Sequence, residues 1–419
     1  MRISIIGAGP AGAMAAVRLA RAGASVSLFD PSHPREKPCG GGLTGRALAL
    51  VSDLIDINSL EPVVARSARV ESPLPGVGGP RPPRAAAGTT ADVPLIDRGA
   101  TPDSSLVVVS RAVFDRALVD AAIHAGARLI PERAVDVFRR GTAMVVRTDR
   151  QEYEAEHVLG ADGANSLLRR TLAAPFTRAQ LSVAAGFFVH GVTDSAIFIK
   201  PMAEQPGYLW SFPRRDHLAV GICAHAMHRT SSQELLAQSR SWIEQRGLHR
   251  HSVLKPYAWP IPSVGFEDAL RMRSAGPGWM LLGDAAGLVD PLTREGIYYA
   301  LLSGQWAADA LAGGPAPQAA ALYAERLRTE VQPELARAAQ LSALFFTPRF
   351  SSLFVAALGD SAPIREVFVD LVAGVQPYRG LRRRLLATGE WRLAAGAIRL
   401  AVMPRFTGTM KPVVSPHAT

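Results

Sequence analysis

Three short patterns of glycine and acid are spaced to hold a dinucleotide. The first is Gly7-Ala8-Gly9-Pro10-Ala11-Gly12, which follows the apolar run at 2–6 and opens an alanine-rich stretch to about Ala22. Gly7 permits a tight strand-to-helix turn, Gly9 lets the backbone approach a pyrophosphate, and Gly12 lets helix and strand pack closely. The helix start then offers free N–H groups and the positive end of its dipole. Asp30, eighteen residues past Gly12 and closing a second apolar run, is placed to accept hydrogen bonds from a ribose diol. The second pattern is Gly160-Ala-Asp162-Gly163-Ala-Asn-Ser166, and the third is Gly283-Asp284-Ala-Ala-Gly287-Leu-Val-Asp290-Pro291, leading into Gly296. Each follows an apolar run and sets an acid beside glycines, so the acid can take sugar or ribityl hydroxyls while backbone N–H groups face phosphate or ring oxygens.

In this order the three patterns resemble the FAD-binding pattern of the aromatic-hydroxylase-like flavoproteins. The resemblance implies that Asp284 contacts the ribityl chain and that Gly287 to Gly296 lie near the isoalloxazine. It further implies that Arg111, in Arg-x-x-Phe-Asp-x-x-Leu, lies near the FAD. Lys37-Pro38-Cys39-Gly40-Gly41-Gly42-Leu43, Pro206-Gly207-Tyr208-Leu-Trp210-Ser-Phe212-Pro213 and the stretch at 290–301 look like signatures of the geranylgeranyl reductase group, which usually has Gly where Arg294 stands. Gly41 and Gly42 are expected to bring backbone against the flavin ring or a flat substrate. Tyr208 and Trp210 alternate along a strand and so face one side, where they can wall an apolar pocket, or equally sit in a core. Cys39 is a candidate proton donor on the resemblance, with a small buried filler as the plain alternative.

The elements that must position these residues follow from periodicity. Strand, helix and second strand form a βαβ unit from the first residues, and strand signals return at Leu106–Val109 and Trp279–Leu282 with helices at Arg111–Ala125 and up to 312. Between Ser182 and Pro262, β-type runs interrupted by a helix near 232–246 point to a mostly antiparallel sheet. The expected fold is therefore an α/β two-domain flavoprotein. A Rossmann-like FAD-binding domain (1–70, 104–175, 275–315) is interleaved with a β-sheet substrate domain (176–274), followed by a helical region (316–419). Residues 71–103, rich in Pro, Gly and Ala, are expected to form an excursion or lid.

With 48% apolar and 20% charged residues, the 419-residue chain has a globular balance. Two cysteines exclude a disulfide framework, and no Cys or His spacing suggests a metal site. Of the net charge of +10, the stretch from Gln376 onward supplies +7 (seven Arg and one Lys against Glu390), so the remainder carries only +3 and nucleic-acid binding is not expected. Apolar residues between Gly380 and Arg405 recur at helical spacing among those arginines, which suits contact with an anionic membrane or acidic partner, or docking on the protein's own body. No run approaches the ~18 apolar residues of a membrane span, and the expectation is a cytoplasmic protein, free or peripheral to the inner face of the membrane. The substrate is expected to be apolar or aromatic, either a lipid or carried on a peptide. No second glycine-rich βαβ is present for NAD(P)H, so NAD(P)H docks transiently or another external reductant serves. The leading reading is reduction of an isoprenoid-type alkene by reduced flavin; the alternative is a single-component FAD monooxygenase acting on an aromatic substrate. A halogenase is disfavoured, because no lysine lies between 38 and 199.

Overall fold

The run Arg2–Ile6 becomes the inner strand of a six-stranded sheet, flanked in parallel by Ser25–Phe29 on one side and His157–Gly160 on the other. Arg128–Ile130 and Trp279–Leu281 extend this sheet in parallel, and Ala275–Gly276 closes one edge antiparallel. Strand order reverses beside Arg2–Ile6, so a crevice opens at the carboxyl ends of the parallel strands. All three glycine-acid patterns start there. Helices Pro10–Arg21 and Ile297–Ala312 pack on one another against the sheet. Their approach is so close that a Cβ on Gly304 would stand 2.4 Å from the Ala11 carbonyl oxygen.

The computed structural model describes residues 1–74, 90–95, 106–228, 231–314 and 316–390. The basic segment beyond Glu390 and most of the expected 71–103 excursion lie outside the described residues.

The second sheet has seven strands in the order Val253–Pro262, Leu181–His190, His217–His225, Gly207–Pro213, Ala196–Pro201, Ser67–Glu71 and Thr90–Pro94. It is antiparallel apart from the pairing of Ala196–Pro201 with Ser67–Glu71. Ser67–Glu71 and Thr90–Pro94 thus form an antiparallel pair that extends the substrate sheet, which corrects the domain boundary at residue 70 and the reading of 71–103 as a pure excursion. Alternation gives the sheet two apolar faces. Ala185, Leu209 and Ile222 face helix Ser232–Gln245, started by a Ser231/Glu234 capping box. Tyr208, Trp210, Phe212 and Cys223 point the other way. Over that second face lie helices Gln332–Phe345, Pro348–Asp360, Ala362–Val372 and Leu381–Ala387.

Candidate functional site

At the carboxyl end of the parallel sheet lies a groove of about 420 Å³. Gly7 turns there with φ +101°, where a Cβ would meet the Ala161 carbonyl oxygen at 2.4 Å; a Cβ on Gly12 would stand 1.9 Å from the Gly7 carbonyl oxygen. Only glycine fits both places. Helix Pro10–Arg21 begins at Gly9 with no side-chain cap, so its first N–H groups face the groove unsatisfied by side chains. The Lys37 ammonium stands 2.9 Å from where a Cβ on Gly9 would be, a cation directly over the phosphate-binding turn.

The acids differ in how far the chain itself uses them. Asp30 accepts from the Ala8 N–H (3.0 Å) and from the Ser32 N–H and hydroxyl (both 2.9 Å). Burial opposes its charge, but these bonds outweigh burial and hold its pKa below the ordinary carboxylate value. Asp162 accepts the Leu167 N–H at 2.6 Å through one oxygen, while the other is buried without a partner. The Asp284 carboxylate accepts no hydrogen bond from any described residue, and enclosure raises its pKa. Unused acceptors on two half-buried carboxylates, beside a glycine cradle with a free helix start and a lysine, are what the ribityl and ribose hydroxyls and the pyrophosphate of FAD require.

Gly7, Gly9, Ala11, Asp30, Arg111, Asp162, Gly163, Asp284 and Gly296 all line this groove. Gly12, Gly283, Gly287 and Pro291 do not; they shape its walls. Gly283 donates its N–H to Ser303 (2.9 Å), and Gly287, at φ +75°, lies where a Cβ would strike Met272. Gly41 and Gly42 lie on the other side of the junction between this groove and a second cavity. They line that cavity, and their close neighbours are the Val109 carbonyl and the Phe212 ring. Arg111 is 8% exposed and forks onto Asp115 at 2.8 and 2.9 Å, with Lys37 3.4 Å from the same carboxylate.

The second cavity, about 540 Å³, lies between the substrate sheet and the C-terminal helices. Its walls include Tyr208, Trp210, Phe212, Phe345, Phe354 and Phe368. The Tyr208 ring stacks over Phe346 at 6.1 Å and its hydroxyl donates to the Thr293 carbonyl at 3.2 Å. Trp210 is 5% exposed and packs with Phe188 and Tyr257, so it is a core residue with one edge in the cavity. Cys39, Arg294 and Gly296 line both cavities and mark where they join. The Cys39 thiol accepts from the Gly41 N–H at 3.3 Å.

Sequence reasoning missed the support for this junction. Arg214, 1% exposed, pairs with Glu36 and donates to the Cys39 carbonyl at 2.6 Å, and Glu36 also accepts from the Arg111 N–H at 2.9 Å. On its far side Arg214 lies 3.2 Å from His217 Nε2, and His217 Nδ1 lies 2.7 Å from Asp216. It missed Lys37 as a phosphate-side cation too, although that residue begins the Cys39 motif.

A Rossmann-type groove with a cradle fitted to FAD, opening onto an apolar chamber on a separate sheet, defines a two-domain flavoprotein oxidoreductase. The chain belongs to the FAD binding domain family, which matches residues 1–246, and it is an FAD-dependent oxidoreductase. It is 28% identical over 379 residues to the menaquinone reductase of Mycolicibacterium smegmatis, covering 83% of this chain and 85% of that protein. It is 30% identical over 320 residues to the geranylgeranyl diphosphate reductase of Rhodobacter capsulatus, covering 73% of each. Among solved structures, a geranylgeranyl bacteriochlorophyll reductase-like protein from Thermoplasma acidophilum aligns over 92% of this chain and 98% of its own with a TM-score of 0.72 at 20% identity. A flavin-dependent brominase aligns over 94% and 99% with a TM-score of 0.67 at 18% identity, a likeness of fold.

Proposed function

We propose that this protein reduces a carbon–carbon double bond in an apolar, isoprenoid-type substrate. The observation that carries the reading is the aromatic-walled cavity meeting the FAD groove at Cys39, Arg294 and Gly296. The groove lined by Gly7, Gly9, Asp162 and Asp284 would hold FAD, which, reduced by NAD(P)H or another external donor, would supply the hydride. The chain's own residues do the rest. Apolar walls exclude water and seat a hydrocarbon chain, and burying it is worth ~25 cal/mol per Å². The Cys39 thiol, fixed by Gly41 N–H and by Arg214 through the loop backbone, is held at the junction to deliver a proton. The menaquinone and geranylgeranyl diphosphate reductases among the relatives support this reading.

The test is anaerobic turnover of prenylated substrates with a supplied reductant, read by mass spectrometry. A gain of two hydrogens per reduced bond is expected under argon. A strict requirement for O₂ with an oxygenated product would establish the monooxygenase reading instead.

A lipid-soluble substrate also motivates peripheral attachment to the inner face of the membrane. Among the described residues no single helix is long and apolar enough to cross a membrane. Arg382 and Leu386 line the cavity on helix Leu381–Ala387, and the exposed side chains of Arg382, Arg383 and Leu386 lie together there. Flotation with anionic vesicles at low salt is expected; failure to float would assign this surface to the protein alone.

A further inference from the structure

Arg294 is unlike the rest of the cavity it enters. Its backbone lies at φ +61°, a region costly to any residue with a side chain and easy for glycine. An arginine held there points to a use for its guanidinium. That guanidinium donates to the Ser263 hydroxyl, its Nε is buried without a hydrogen-bond partner, and no described carboxylate pairs with it. Its surroundings are neutral: Tyr208, Cys223 and His225, the last held below the ordinary histidine pKa by burial and by Arg294 itself. The nearby Glu295 is already engaged by Arg46 and by the Thr44 hydroxyl at 2.7 Å.

We propose that the Arg294 guanidinium, anchored on the buried Ser263 hydroxyl, forms an oxygen-binding subsite at the flavin end of the apolar cavity, so that the substrate enters with a carbonyl-bearing ring, of quinone type, as its head group. The inference rests on the reading of the cavity as the substrate chamber and narrows it to one substrate class. Charge decides against a phosphate at this end. One guanidinium balances a single negative charge at most, and a diphosphate buried here would keep uncompensated charge among Trp210, Ile261 and Cys223. A carbonyl needs only the donors present, and loses no more hydration than they replace. A phosphate head would sit instead beside the exposed Arg382, which also lines the cavity.

The experiment is equilibrium dialysis of the FAD-loaded protein, without turnover, against three probes of equal chain length. These are a polyprenyl 1,4-naphthoquinone, the polyprenyl diphosphate and the plain polyprenyl hydrocarbon. Arg294→Gly suits the backbone and so tests the side chain without a folding penalty; Arg294→Lys keeps the charge and removes the fork. Loss of a charge-assisted bond predicts roughly tenfold to hundredfold weaker naphthoquinone binding in Arg294→Gly. Arg294→Lys should fall between, and hydrocarbon binding should stay within twofold. Naphthoquinone affinity within twofold of wild type in Arg294→Gly overturns the proposal. So does diphosphate binding that is tighter than naphthoquinone binding and depends on Arg294. Because nothing is turned over, failure of double-bond reduction would refute the proposed reaction and leave this result readable.

Discussion

Asp284→Asn should weaken FAD binding and yet stabilise the protein stripped of FAD. The Asp284 carboxylate faces the groove with no hydrogen bond from described residues, and burial raises its pKa while Arg111 and Lys37 pull it back. A carboxyl whose folded pKa is raised costs stability at pH values above its ordinary pKa of 3.8, in full once pH exceeds the folded pKa, and costs nothing at lower pH. Asparagine carries no charge to desolvate. The stripped variant should therefore melt above the stripped wild type at pH 7, and the gap should close below about pH 4. With FAD the sign reverses. A charge-assisted bond from a ribityl hydroxyl is worth about 1.5–3 kcal/mol, and asparagine retains a neutral acceptor, so about tenfold weaker FAD binding is expected. Fluorescence titration of stripped protein with FAD and calorimetric melting across pH read the two effects separately. Asp162→Ala is the control. One oxygen of Asp162 already serves the start of helix Leu167–Leu172, so that variant should lose about 1 kcal/mol of stability and less FAD affinity. FAD affinity within twofold of wild type in Asp284→Asn, or a lower melting temperature without FAD, would refute this reasoning.

Tyr208→Ala should lower turnover with FAD content intact, whereas Trp210→Ala should cost about 3–5 kcal/mol in urea unfolding, because its indole is core as well as wall. Equal stability of the two variants would contradict that division. Arg214→Gln leaves Glu36 without its cation, so about 3 kcal/mol should be lost in denaturant melts and Cys39 alkylation should quicken as its loop loosens. Unchanged alkylation would show that the loop holds without Arg214. Acid precipitation should release all of the yellow colour into the supernatant, since the groove is built for non-covalent FAD; colour kept in the pellet contradicts it.

The cofactor half was legible because its demands fall on glycine and on acids at strand ends. Gly7 and Gly12 admit no Cβ, Asp30 and Asp284 lie just past strand ends, and a one-dimensional pattern records both facts. Gly41 and Gly42 were legible as close approaches but not as to what approaches them, since Phe212 lies 170 residues away in sequence. The cavity roof was not legible. Phe345, Phe350 and Phe354 sit on helices with the spacing of any core face, and only the sheet opposite turns that face into a wall. Arg214 and Glu36 were hidden for the same reason: a buried ion pair leaves no periodic trace. Residues 67–70 were placed with the FAD-binding domain because the partner of their strand, Ala196–Pro201, comes far later in the chain.

The order of strands in the parallel sheet also constrains how the chain is made. Arg2–Ile6 and Ser25–Phe29 leave the ribosome first, but their sheet gains His157–Gly160 and Trp279–Leu281 only much later. At about 5–20 residues per second, the roughly 250 residues from Phe29 to Trp279 take about 12–50 s to synthesise. For about the first half of that interval, until His157–Gly160 is made, the apolar strand Arg2–Ile6 has an open edge, and throughout it the Asp284 end of the cofactor groove does not yet exist. The nascent protein is thus exposed to edge-to-edge aggregation early and can be rescued by FAD only late. Truncation anywhere before Ile297–Ala312 removes the helix that closes the first one, so fragments of this chain should be chaperone clients and not flavoproteins.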